Sequence, residues 1–429
     1  MTNTTLYTSE CFIVEGGKAL RGSVKISGSK NASLPILIAS LLTQEECSIK
    51  RVPKLLDVET TVQLLTHLGA GVERQGDMVK VDPSLVCRQE APDEIVRKMR
   101  ASVLVMGPLL ARFGKAFVSM PGGCAIGVRS IDQHLKVFER AGASIRVRHG
   151  YLDMELKEIK PVEYTFEVIT VTGTENALML LSKCSKRSVL RNIALEPEVM
   201  DLIDVLRKMG AEIDVDGRTA VIKGSDYLRG FEHEVIPDRI EAGTFMVGAF
   251  ITSGDVLLEG VIPEHLGSVI EKLRESGARV EIISRDKIRV SGDGKPKPLS
   301  ISTSEYPGFP TDMQAQFMVL CSIADGISEI TENIFENRFQ HVPELQRMGA
   351  DIHIKGRTAI IRGVKKLQGA KVFSTDLRAS ASLVLAGLIA EGTTKVMDIH
   401  HLDRGYENLE EKLRKLGAVI ERRPHREEN

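Results

Sequence analysis

The chain has 429 residues, 42% of them hydrophobic, and its 57 Lys and Arg nearly balance 58 Asp and Glu, for a formal net charge of −1. This composition predicts two or three folded domains with large cores and argues against intrinsic disorder. The near-neutral charge argues against a nucleic-acid-binding protein, although it is compatible with a local basic pocket for a small anion.

No segment of the sequence predicts export or membrane insertion. Residues 1–12 lack the basic and apolar regions of a secretory signal. The longest apolar stretches, near Leu34–Leu42 and Ala379–Ala390, are too short to span a bilayer. The six cysteines are scattered, without a C-x-x-C pair or a histidine at metal-ligand spacing. We therefore expect free thiols in a cytoplasmic protein.

One pattern recurs six times: a helical segment ends at Gly-Ala and an alternating apolar segment follows. The glycines lie about 70 residues apart and are Gly69, Gly142, Gly210, Gly277, Gly349 and Gly417. Glycine supplies the left-handed residue that closes a helix. The alternation in Ala211–Val215 predicts a half-buried strand, and the turn at Asp216–Arg218 leads into a second one. A helix-Gly-strand junction is common in α/β proteins, which explains one copy but not six evenly spaced copies.

Six such units predict an α/β protein with two domains of three units each. We place the crossing between the domains near Val235–Arg239. The first domain would comprise residues 30–237, and the second domain would comprise residues 1–29 and 238–429. A cleft between domains is a common place for a ligand.

The first segment with chemical potential is Ser27–Pro35, which opens an apolar helix. Backbone N–H groups at a helix start attract anions, and Lys30 adds a full positive charge. An ordinary capped helix with a solvated lysine is equally compatible with these residues. The segment lacks the spacing of a Walker loop.

The second segment, Pro121–Arg129, places Cys124 among glycines and alanine. A thiol on such an uncrowded loop can reach a ligand, and Arg129 could hold an anion and tune the thiol. A turn with a spare buried cysteine is the alternative. The remaining cysteines lack this setting, and we interpret them as structural: Cys11, Cys47, Cys87, Cys184 and Cys321.

The third segment, Phe309–Gln316, contains Thr311 and Asp312 before a predicted helix. Either residue could cap that helix, and the carboxylate could equally serve as a general base. Four arginines stand at the ends of predicted elements: Arg100, Arg338, Arg378 and Arg404. Guanidinium groups match carboxylate and phosphate geometry, although a single arginine is most often solvated or paired.

Together these segments resemble the UDP-N-acetylglucosamine 1-carboxyvinyltransferases, a family of enolpyruvyl transferases, over nearly the whole chain. The motifs that carry the resemblance are Ser27–Ala32, Lys98–Ser102, Pro121–Cys124, Phe309–Gln316 and Asp376–Ser380. The resemblance implies two inside-out α/β domains, each of three repeated units, with the active site in the cleft between them. It implies transfer of the enolpyruvyl group of phosphoenolpyruvate to the 3-hydroxyl of UDP-N-acetylglucosamine with release of phosphate, the first committed step of peptidoglycan synthesis.

The resemblance also implies a role for each matching residue. Phosphoenolpyruvate would be contacted by Lys30, Asn31, Arg129 and Arg404. Cys124 would protonate C3 of the enol and bond to C2, and Asp312 would take the proton of the sugar hydroxyl. The UDP-sugar would be held by Arg100, Ser130, Ile131, Asp132, Gln133, Thr170 and Ile334. The closed site would be supported by His134, Arg338, Asp376 and Arg378. No metal, organic cofactor, nucleic acid or obligate protein partner is implied.

Two departures from the family pattern stand out. Many relatives carry Ser-Val-Gly-Ala-Thr with a lysine two residues earlier, whereas this chain has Val168 at the lysine position and Thr172-Gly173 in place of Gly-Ala. Leu104 stands where relatives often have Trp. Two other functions stay open: transfer of enolpyruvyl to shikimate 3-phosphate, against which the Cys124 motif argues, and a non-catalytic UDP-sugar-binding protein, against which the presence of Lys30 and Asp312 argues.

Overall fold

The computed structural model describes residues 9–121, 131–292 and 295–425. The predicted site residues Cys124, Arg129 and Ser130 lie outside these ranges. The strands of the described ranges are, in chain order, β1 (Ser9–Glu15), β2 (Arg21–Lys25), β3 (Cys47–Lys50), β4 (Gly71–Gln75), β5 (Met78–Asp82), β6 (Glu90–Ala91), β7 (Lys115–Ser119), β8 (Ser144–Arg148), β9 (Tyr151–Glu155), β10 (Glu163–Thr165), β11 (Ser188–Arg191), β12 (Glu212–Asp216), β13 (Thr219–Lys223), β14 (Glu232–Glu234), β15 (Asp255–Glu259), β16 (Arg279–Ser284), β17 (Lys287–Ser291), β18 (Ser300–Ser302), β19 (Ile327–Thr331), β20 (Asp351–Lys355), β21 (Thr358–Arg362), β22 (Lys371–Phe373), β23 (Thr393–Met397) and β24 (Val419–His425).

The helices alternate with these strands. The α-helices of the described ranges are α1 (Lys30–Ala39), α2 (Leu56–Leu68), α3 (Asp93–Val96), α4 (Met106–Phe113), α5 (Asp132–Arg140), α6 (Val171–Leu181), α7 (Pro197–Met209), α8 (Arg239–Ile251), α9 (Gly267–Glu275), α10 (Gln314–Ser322), α11 (Val342–Arg347), α12 (Leu377–Ile389) and α13 (Leu409–Lys415). Short 3₁₀ helices cover Ser40–Leu42, Arg100–Val105, Pro263–Leu266, Thr311–Met313 and Ile399–Arg404. None of the helices within the described ranges is long and apolar enough to cross a membrane.

The described strands form six four-stranded sheets with one shared topology. The strand orders are β14-β3-β5-β4, β6-β7-β9-β8, β10-β11-β13-β12, β16-β17-β15-β2, β18-β19-β21-β20 and β22-β23-β1-β24. In each sheet one short edge strand is parallel to its neighbour and the other pairs are antiparallel. In the third sheet, for example, Tyr164 of β10 lies opposite Leu190 of β11, and Val221 of β13 lies opposite Asp214 of β12.

The six glycines of the repeated pattern behave as the sequence predicts. Each follows a helix with a positive φ, between 90° and 116°, in the left-handed region that glycine adopts without steric cost. The predicted strand after Gly210 is β12, and the turn at Gly217, with φ of 52°, connects it to β13. The prediction of repeated helix-strand-turn-strand units is therefore confirmed.

The described chain divides into two compact units. One contains residues 28–121 and 131–236, and we call it the Lys30 unit; the other contains residues 9–27, 237–292 and 295–425, and we call it the Asp312 unit. Each unit has its own continuous hydrophobic core and three of the six sheets. The assignment of a catalytic cysteine to one domain and a catalytic aspartate to the other stays a prediction.

Each unit has three buried helices at its centre, one from each repeat. In the Lys30 unit they are α1, α4 and α6, of which α4 and α6 pack on each other. In the Asp312 unit they are α8, α10 and α12, and all three pack on one another. These helices are apolar on nearly all sides, as buried helices must be: every α8 residue from Ile240 to Ile251 is buried. With helices inside and sheets around them, the structure confirms the predicted inside-out α/β fold with three repeats in each half.

Candidate active site

The three central helices of the Asp312 unit begin close together, and each beginning carries an aspartate. Asp238 caps α8, Asp312 lies in the 3₁₀ turn before α10, and Asp376 caps α12. The Nε of Arg378, the second residue of α12, lies 3.2 Å from Oδ2 of Asp312. The same guanidinium feels the charge of Asp238. The fold thus gathers residues from three repeats around one cluster of charges.

Asp312 is held between two buried arginines. Its Oδ1 accepts from Nη2 of Arg338 at 2.8 Å, and its Oδ2 accepts from Nε of Arg378 at 3.2 Å. The Asp312 side chain is 25% exposed, whereas the two arginine side chains are 8% and 3% exposed. Such charge-assisted hydrogen bonds orient the carboxylate while leaving part of it accessible. The N-cap residue of the 3₁₀ helix Thr311–Met313 is Pro310, and that of α10 is Met313. Among the described residues, no side chain caps either helix. The Asp312 carboxylate therefore has partners other than a cap.

Arg378 is the most buried cation of this cluster. Burial opposes its charge, but Tyr406, Asp312 and Asp238 outweigh that effect and raise the pKa of Arg378 above its ordinary value. Its guanidinium also lies over the Tyr406 ring, 5.3 Å from the ring centre. Its Nη1 is buried and has no hydrogen-bond partner within the described residues. Arg378 therefore offers a permanent charge and a spare donor to an anion.

A buried carboxylate braces the other arginine. Arg338 donates from Nη1 to Oγ1 of Thr311 at 2.8 Å, and Thr311 in turn donates to Oε2 of Glu332 at 2.9 Å. Oε1 of Glu332 accepts from the backbone N–H groups of Ile334 and Phe335. Glu332 is 1% exposed. It therefore fixes both Thr311 and the segment that carries the predicted ligand residue Ile334.

The remaining predicted residues of this unit are Asp376 and Arg404. Oδ1 of Asp376 accepts from the backbone N–H groups of Arg378 and Ala379, at 2.8 and 3.0 Å, and caps α12. Its charge also acts on two histidines, His341 and His401. Burial lowers the pKa of His341 to about 4 despite Asp376. Burial likewise lowers the pKa of His401, and the neighbouring charges of His400 and Arg404 lower it further. Arg404 therefore lies near this cluster, at the end of its 3₁₀ helix.

In the Lys30 unit, the start of α1 holds a buried ion pair. Ser29 caps the helix, its Oγ accepting from the N–H of Ala32 at 3.2 Å. Lys30 is 6% exposed, and its Nζ lies 2.7 Å from Oδ2 of Asp57. Asn31, the next residue, is exposed. Gly28 is required here, because a Cβ would lie 1.7 Å from the carbonyl oxygen of Arg51.

The predicted residues at the start of α5 hold a neighbouring segment in place. The Gln133 side chain donates from Nε2 to the carbonyl of Val168 at 2.9 Å and accepts the N–H of Glu167 on Oε1 at 2.7 Å. Asp132 is exposed and lies 3.6 Å from Nζ of Lys136. Ile131 is buried. The Gln133 amide thus binds the backbone that leads into α6.

His134 is 1% exposed, and both ring nitrogens contact protein atoms. Its Nδ1 lies 2.9 Å from Nδ2 of Asn176, and its Nε2 lies 3.2 Å from Oγ1 of Thr172. Burial lowers the pKa of His134 to about 3, and the charge of Arg100 lowers it further while Asp132 opposes it. Thr170 caps α6, accepting from the N–H of Gly173 at 3.2 Å. The His134 ring is therefore engaged with the start of α6.

The structure brings the predicted residues together in two groups. One group, in the Lys30 unit, contains Arg100, Asp132, Gln133, His134 and Thr170, with Lys30 and Asn31 at the start of α1. The other, in the Asp312 unit, contains Asp312, Ile334, Arg338, Asp376, Arg378 and Arg404. Sequence reasoning assigned no role to four residues that support these groups: Asp57, Thr172, Asn176 and Glu332. No local pattern marks them, because their side-chain partners lie 21 to 42 residues away along the chain.

The interpretation of the other five cysteines holds in part. All five are free thiols, and Cys11, Cys47, Cys184 and Cys321 are buried. Burial raises the pKa of Cys47 and of Cys321 to about 12, so these thiols are inert at neutral pH. Cys87, in contrast, is exposed. Its interpretation as a structural residue stays a prediction: Cys87 follows Val86 in an irregular segment, and its backbone N–H donates to the carbonyl of Leu68 in α2.

Known proteins show the same architecture. A family model described as EPSP synthase (3-phosphoshikimate 1-carboxyvinyltransferase) matches residues 14–413. A protein of Desulfosudis oleivorans named UDP-N-acetylglucosamine 1-carboxyvinyltransferase is 54% identical over 411 residues, 96% of this chain and 98% of that protein. The protein of the same name from Geobacter metallireducens is 53% identical over 412 residues, with the same coverage. The chain belongs to the UDP-N-acetylglucosamine 1-carboxyvinyltransferase family. The family predicted from the sequence motifs is thereby confirmed.

Solved structures of enolpyruvyl transferases share this fold. The crystal structure of the enolpyruvyl transferase NikO from Streptomyces tendae superposes with a TM-score of 0.87 at 26% identity, covering 97% of this chain and 99% of that chain. EPSP synthase from Acinetobacter baumannii superposes with a TM-score of 0.75 at 21% identity, covering 97% and 100%, and supports the fold alone.

Proposed function

We propose that this protein transfers the enolpyruvyl group of phosphoenolpyruvate to the 3-hydroxyl of UDP-N-acetylglucosamine and releases phosphate. The reaction would take place in the cytoplasm as the first committed step of peptidoglycan synthesis. The observation that carries the proposal is the Asp312 carboxylate between Arg338 and Arg378, in a chain 54% identical to a protein named for this activity. The arrangement places a carboxylate that can act as a base next to two guanidinium cations that can bind anionic substrates.

The addition step needs a base, an acid and positive charge. The sugar oxygen bonds to C2 of the enol while its proton passes to a base, and C3 gains a proton from an acid. Asp312 suits the base, because its carboxylate is oriented by two guanidinium groups and one quarter of the side chain is accessible. We assign the acid to Cys124, from the family motif. The product of this step is a tetrahedral ketal that carries phosphate and carboxylate groups.

The elimination step breaks the C2–O bond to phosphate while C3 loses a proton. Both substrates and the ketal are multiply anionic, so fixed cations stabilise the developing charge. Arg378 suits this task because it is permanently charged, buried and has a spare donor at Nη1. We assign Lys30, Asn31, Arg129 and Arg404 to phosphoenolpyruvate. We assign Arg100, Ile131, Asp132, Thr170 and Ile334 to the UDP-sugar.

Phosphate release tests the proposal directly. We expect release from phosphoenolpyruvate that depends on UDP-N-acetylglucosamine and is absent with shikimate 3-phosphate. Release with shikimate 3-phosphate in place of the UDP-sugar would assign the chain to the sister activity. Binding of UDP-N-acetylglucosamine by calorimetry, without phosphate release when both substrates are present, would indicate a non-catalytic protein and refute the proposal.

A further inference from the structure

Arg422 lies on β24, in the Asp312 unit, and binds carboxylates from three separate elements. Its Nε donates to Oε1 of Glu410 in α13 at 2.8 Å, and its Nη1 donates to Oε2 of Glu10 in β1 at 2.8 Å. Its Nη1 and Nη2 also donate to the two carboxylate oxygens of Asp403, at 3.0 and 2.6 Å. The contact with Asp403 is therefore the bidentate one, the geometry in which a guanidinium group orients a carboxylate most firmly.

The surroundings of Arg422 distinguish this network from an ordinary surface ion pair. Its guanidinium lies over the buried ring of Phe12, 5.1 Å from the ring centre, and its side chain is 27% exposed. The hydrogen bond to Asp403, and then those to Glu410 and Glu10, outweigh burial and raise the pKa of Arg422 above its ordinary value. An isolated exposed ion pair orders little, but a partly buried bidentate network holds its members in one geometry.

Asp403 belongs to the short 3₁₀ helix that ends at Arg404. This helix follows Asp398, whose φ of 56° is left-handed and sparsely populated for a residue with a side chain. Among the described residues, no side chain caps the helix. Its apolar side chains are buried, and the two bonds from Arg422 hold its polar side. Because the internal hydrogen bonds of a 3₁₀ helix are weak, such tertiary contacts decide where Arg404 lies.

The residues that follow this helix pack against Arg378. A Cβ on Gly405 would lie 2.4 Å from Cδ1 of Leu377 and 3.6 Å from Nη1 of Arg378, so the backbone of Gly405 passes close to both side chains. Tyr406, the next residue, is 3% exposed, and its ring centre lies 5.3 Å from the guanidinium carbon of Arg378. The segment Arg404–Tyr406 therefore lines the charged cluster beside the spare donor of Arg378.

We propose that Arg422 is a positioning residue for phosphoenolpyruvate, which acts through Asp403 to fix the segment Arg404–Tyr406 against Arg378. This inference rests on the proposed function, because it takes Arg404 as a residue that binds phosphoenolpyruvate. Arg422 itself does not contact the substrate. Its removal would release the polar side of the 3₁₀ helix and would leave three carboxylates without their shared cation. Both effects act on Arg404, because Asp403 precedes it directly in the chain.

Three substitutions weaken this network in steps. Arg422→Lys keeps the charge and loses the bidentate geometry, Arg422→Gln removes the charge, and Asp403→Asn weakens only the link to the 3₁₀ helix. Because a displacement of about 1 Å can lower a rate about 100-fold, we expect kcat/KM for phosphoenolpyruvate to fall roughly 10- to 100-fold in Arg422→Gln and less in Arg422→Lys. The KM for UDP-N-acetylglucosamine should stay within about threefold. Arg423→Gln is the matched control, because Arg423 is the next residue of the same strand, is exposed and pairs with Glu421.

A loss of stability alone gives a different result. A smaller folded fraction lowers kcat and leaves both KM values unchanged, whereas a displaced Arg404 raises the KM for phosphoenolpyruvate. Hydrogen exchange locates the effect, because the amides of residues 399–406 should exchange faster in Arg422→Gln and not in Arg423→Gln. The double variant with Asp403→Asn should lose little more than Arg422→Gln alone, since both changes break the same contact. If urea unfolding shows that Arg422→Gln does not fold, Arg422→Lys and Asp403→Asn take its place.

Several outcomes would overturn the inference. An unchanged KM for phosphoenolpyruvate in folded Arg422→Gln, with or without faster exchange, would make Arg422 a structural residue only. An equal loss in Arg423→Gln would assign the effect to surface charge. Calorimetry with phosphoenolpyruvate in the presence of UDP separates the two proposals. A parent protein that releases no phosphate refutes the proposed function, and weaker phosphoenolpyruvate binding by Arg422→Gln would still support the inference; a parent protein that binds no phosphoenolpyruvate refutes both.

Discussion

Replacing Asp312 by Asn separates a general base from a purely structural carboxylate. Asn keeps the size and one oxygen acceptor but cannot take the proton of the sugar hydroxyl. We predict that turnover falls by about 10²–10⁴-fold, equivalent to about 3–5 kcal/mol of activation free energy. Affinity for the UDP-sugar should change by less than roughly tenfold, or about 1.4 kcal/mol.

The structure also predicts a cost in stability, which must be separated from the loss of turnover. One Asn oxygen can accept from Arg338 or from Arg378, so at least one charge-assisted bond is lost, about 1.5–3 kcal/mol. The loss lies toward the low end, because the Asp312 side chain is 25% exposed and water can replace part of it. A domain with the usual stability of about 5–15 kcal/mol stays folded after such a change.

The assay combines three measurements on the same preparation. Phosphate release gives turnover, calorimetry gives UDP-sugar affinity, and urea unfolding gives stability. Asp255→Asn is the matched control, because it makes the same replacement in another aspartate–arginine pair, with Arg289, on β15 and outside the Asp312 cluster. Near-normal turnover in Asp312→Asn would refute the general-base assignment, and a loss of turnover in proportion to the unfolded fraction would point to structure alone.

Three further predictions concern the thiols, the histidines and the α6 cap. Epoxides of the fosfomycin kind should modify Cys124, in the parent protein and in a Cys87→Ser variant, as detected by peptide mapping. The variant is needed because Cys87 is the exposed thiol of the described residues, whereas burial raises the pKa of Cys47 and of Cys321 to about 12. Modification of Cys87 alone would refute this prediction. In the folded protein the pKa is lowered to about 3 for His134 and to about 4 for His341, below the ordinary 6.5. Below pH 6.5 these histidines therefore bind protons only in the unfolded state. The stability of the folded state is fully present above pH 6.5 and is lost as pH falls toward 4 for His341 and toward 3 for His134. At pH 5 each histidine should lower the free energy of unfolding by about 2 kcal/mol relative to pH 7.5. In urea unfolding at a series of pH values, His341→Gln should reduce the loss of stability between pH 7.5 and pH 5. An unchanged pH dependence would contradict this prediction. Gly173→Ala should destabilise the protein by about 1–3 kcal/mol through the 2.4 Å approach to Thr170, and Thr170→Ser should restore most of the loss in the double variant; additive losses in thermal or urea unfolding would exclude the clash.

The sequence alone determined the repeated architecture, because its determinants are local. The left-handed glycine after a repeat helix, the alternation of apolar and polar residues in a strand, and a turn such as Asp216–Arg218 each depend on a few neighbouring residues. They can therefore be recognised in the sequence without knowledge of the fold. All six glycines have the predicted backbone. The motifs around Lys30, Asp312 and Asp376 likewise placed the chain in its family. The chemical role of Asp312 stays a prediction, as does that of Cys124, which lies outside the described residues.

Only the tertiary structure decided which side chains meet. Asp312 contacts Arg338 and Arg378, which lie 26 and 66 residues further along the chain, and His134 reaches Thr172 across 38 residues. Contacts of that range depend on how three repeats pack around their central helices, and no local pattern encodes them. Exposure is decided in the same way: Cys87 and Cys47 both stand in mixed sequence, yet one is exposed and the other is buried. Packing between distant segments sets burial, and burial in turn sets the charge states and donor directions on which the chemistry depends.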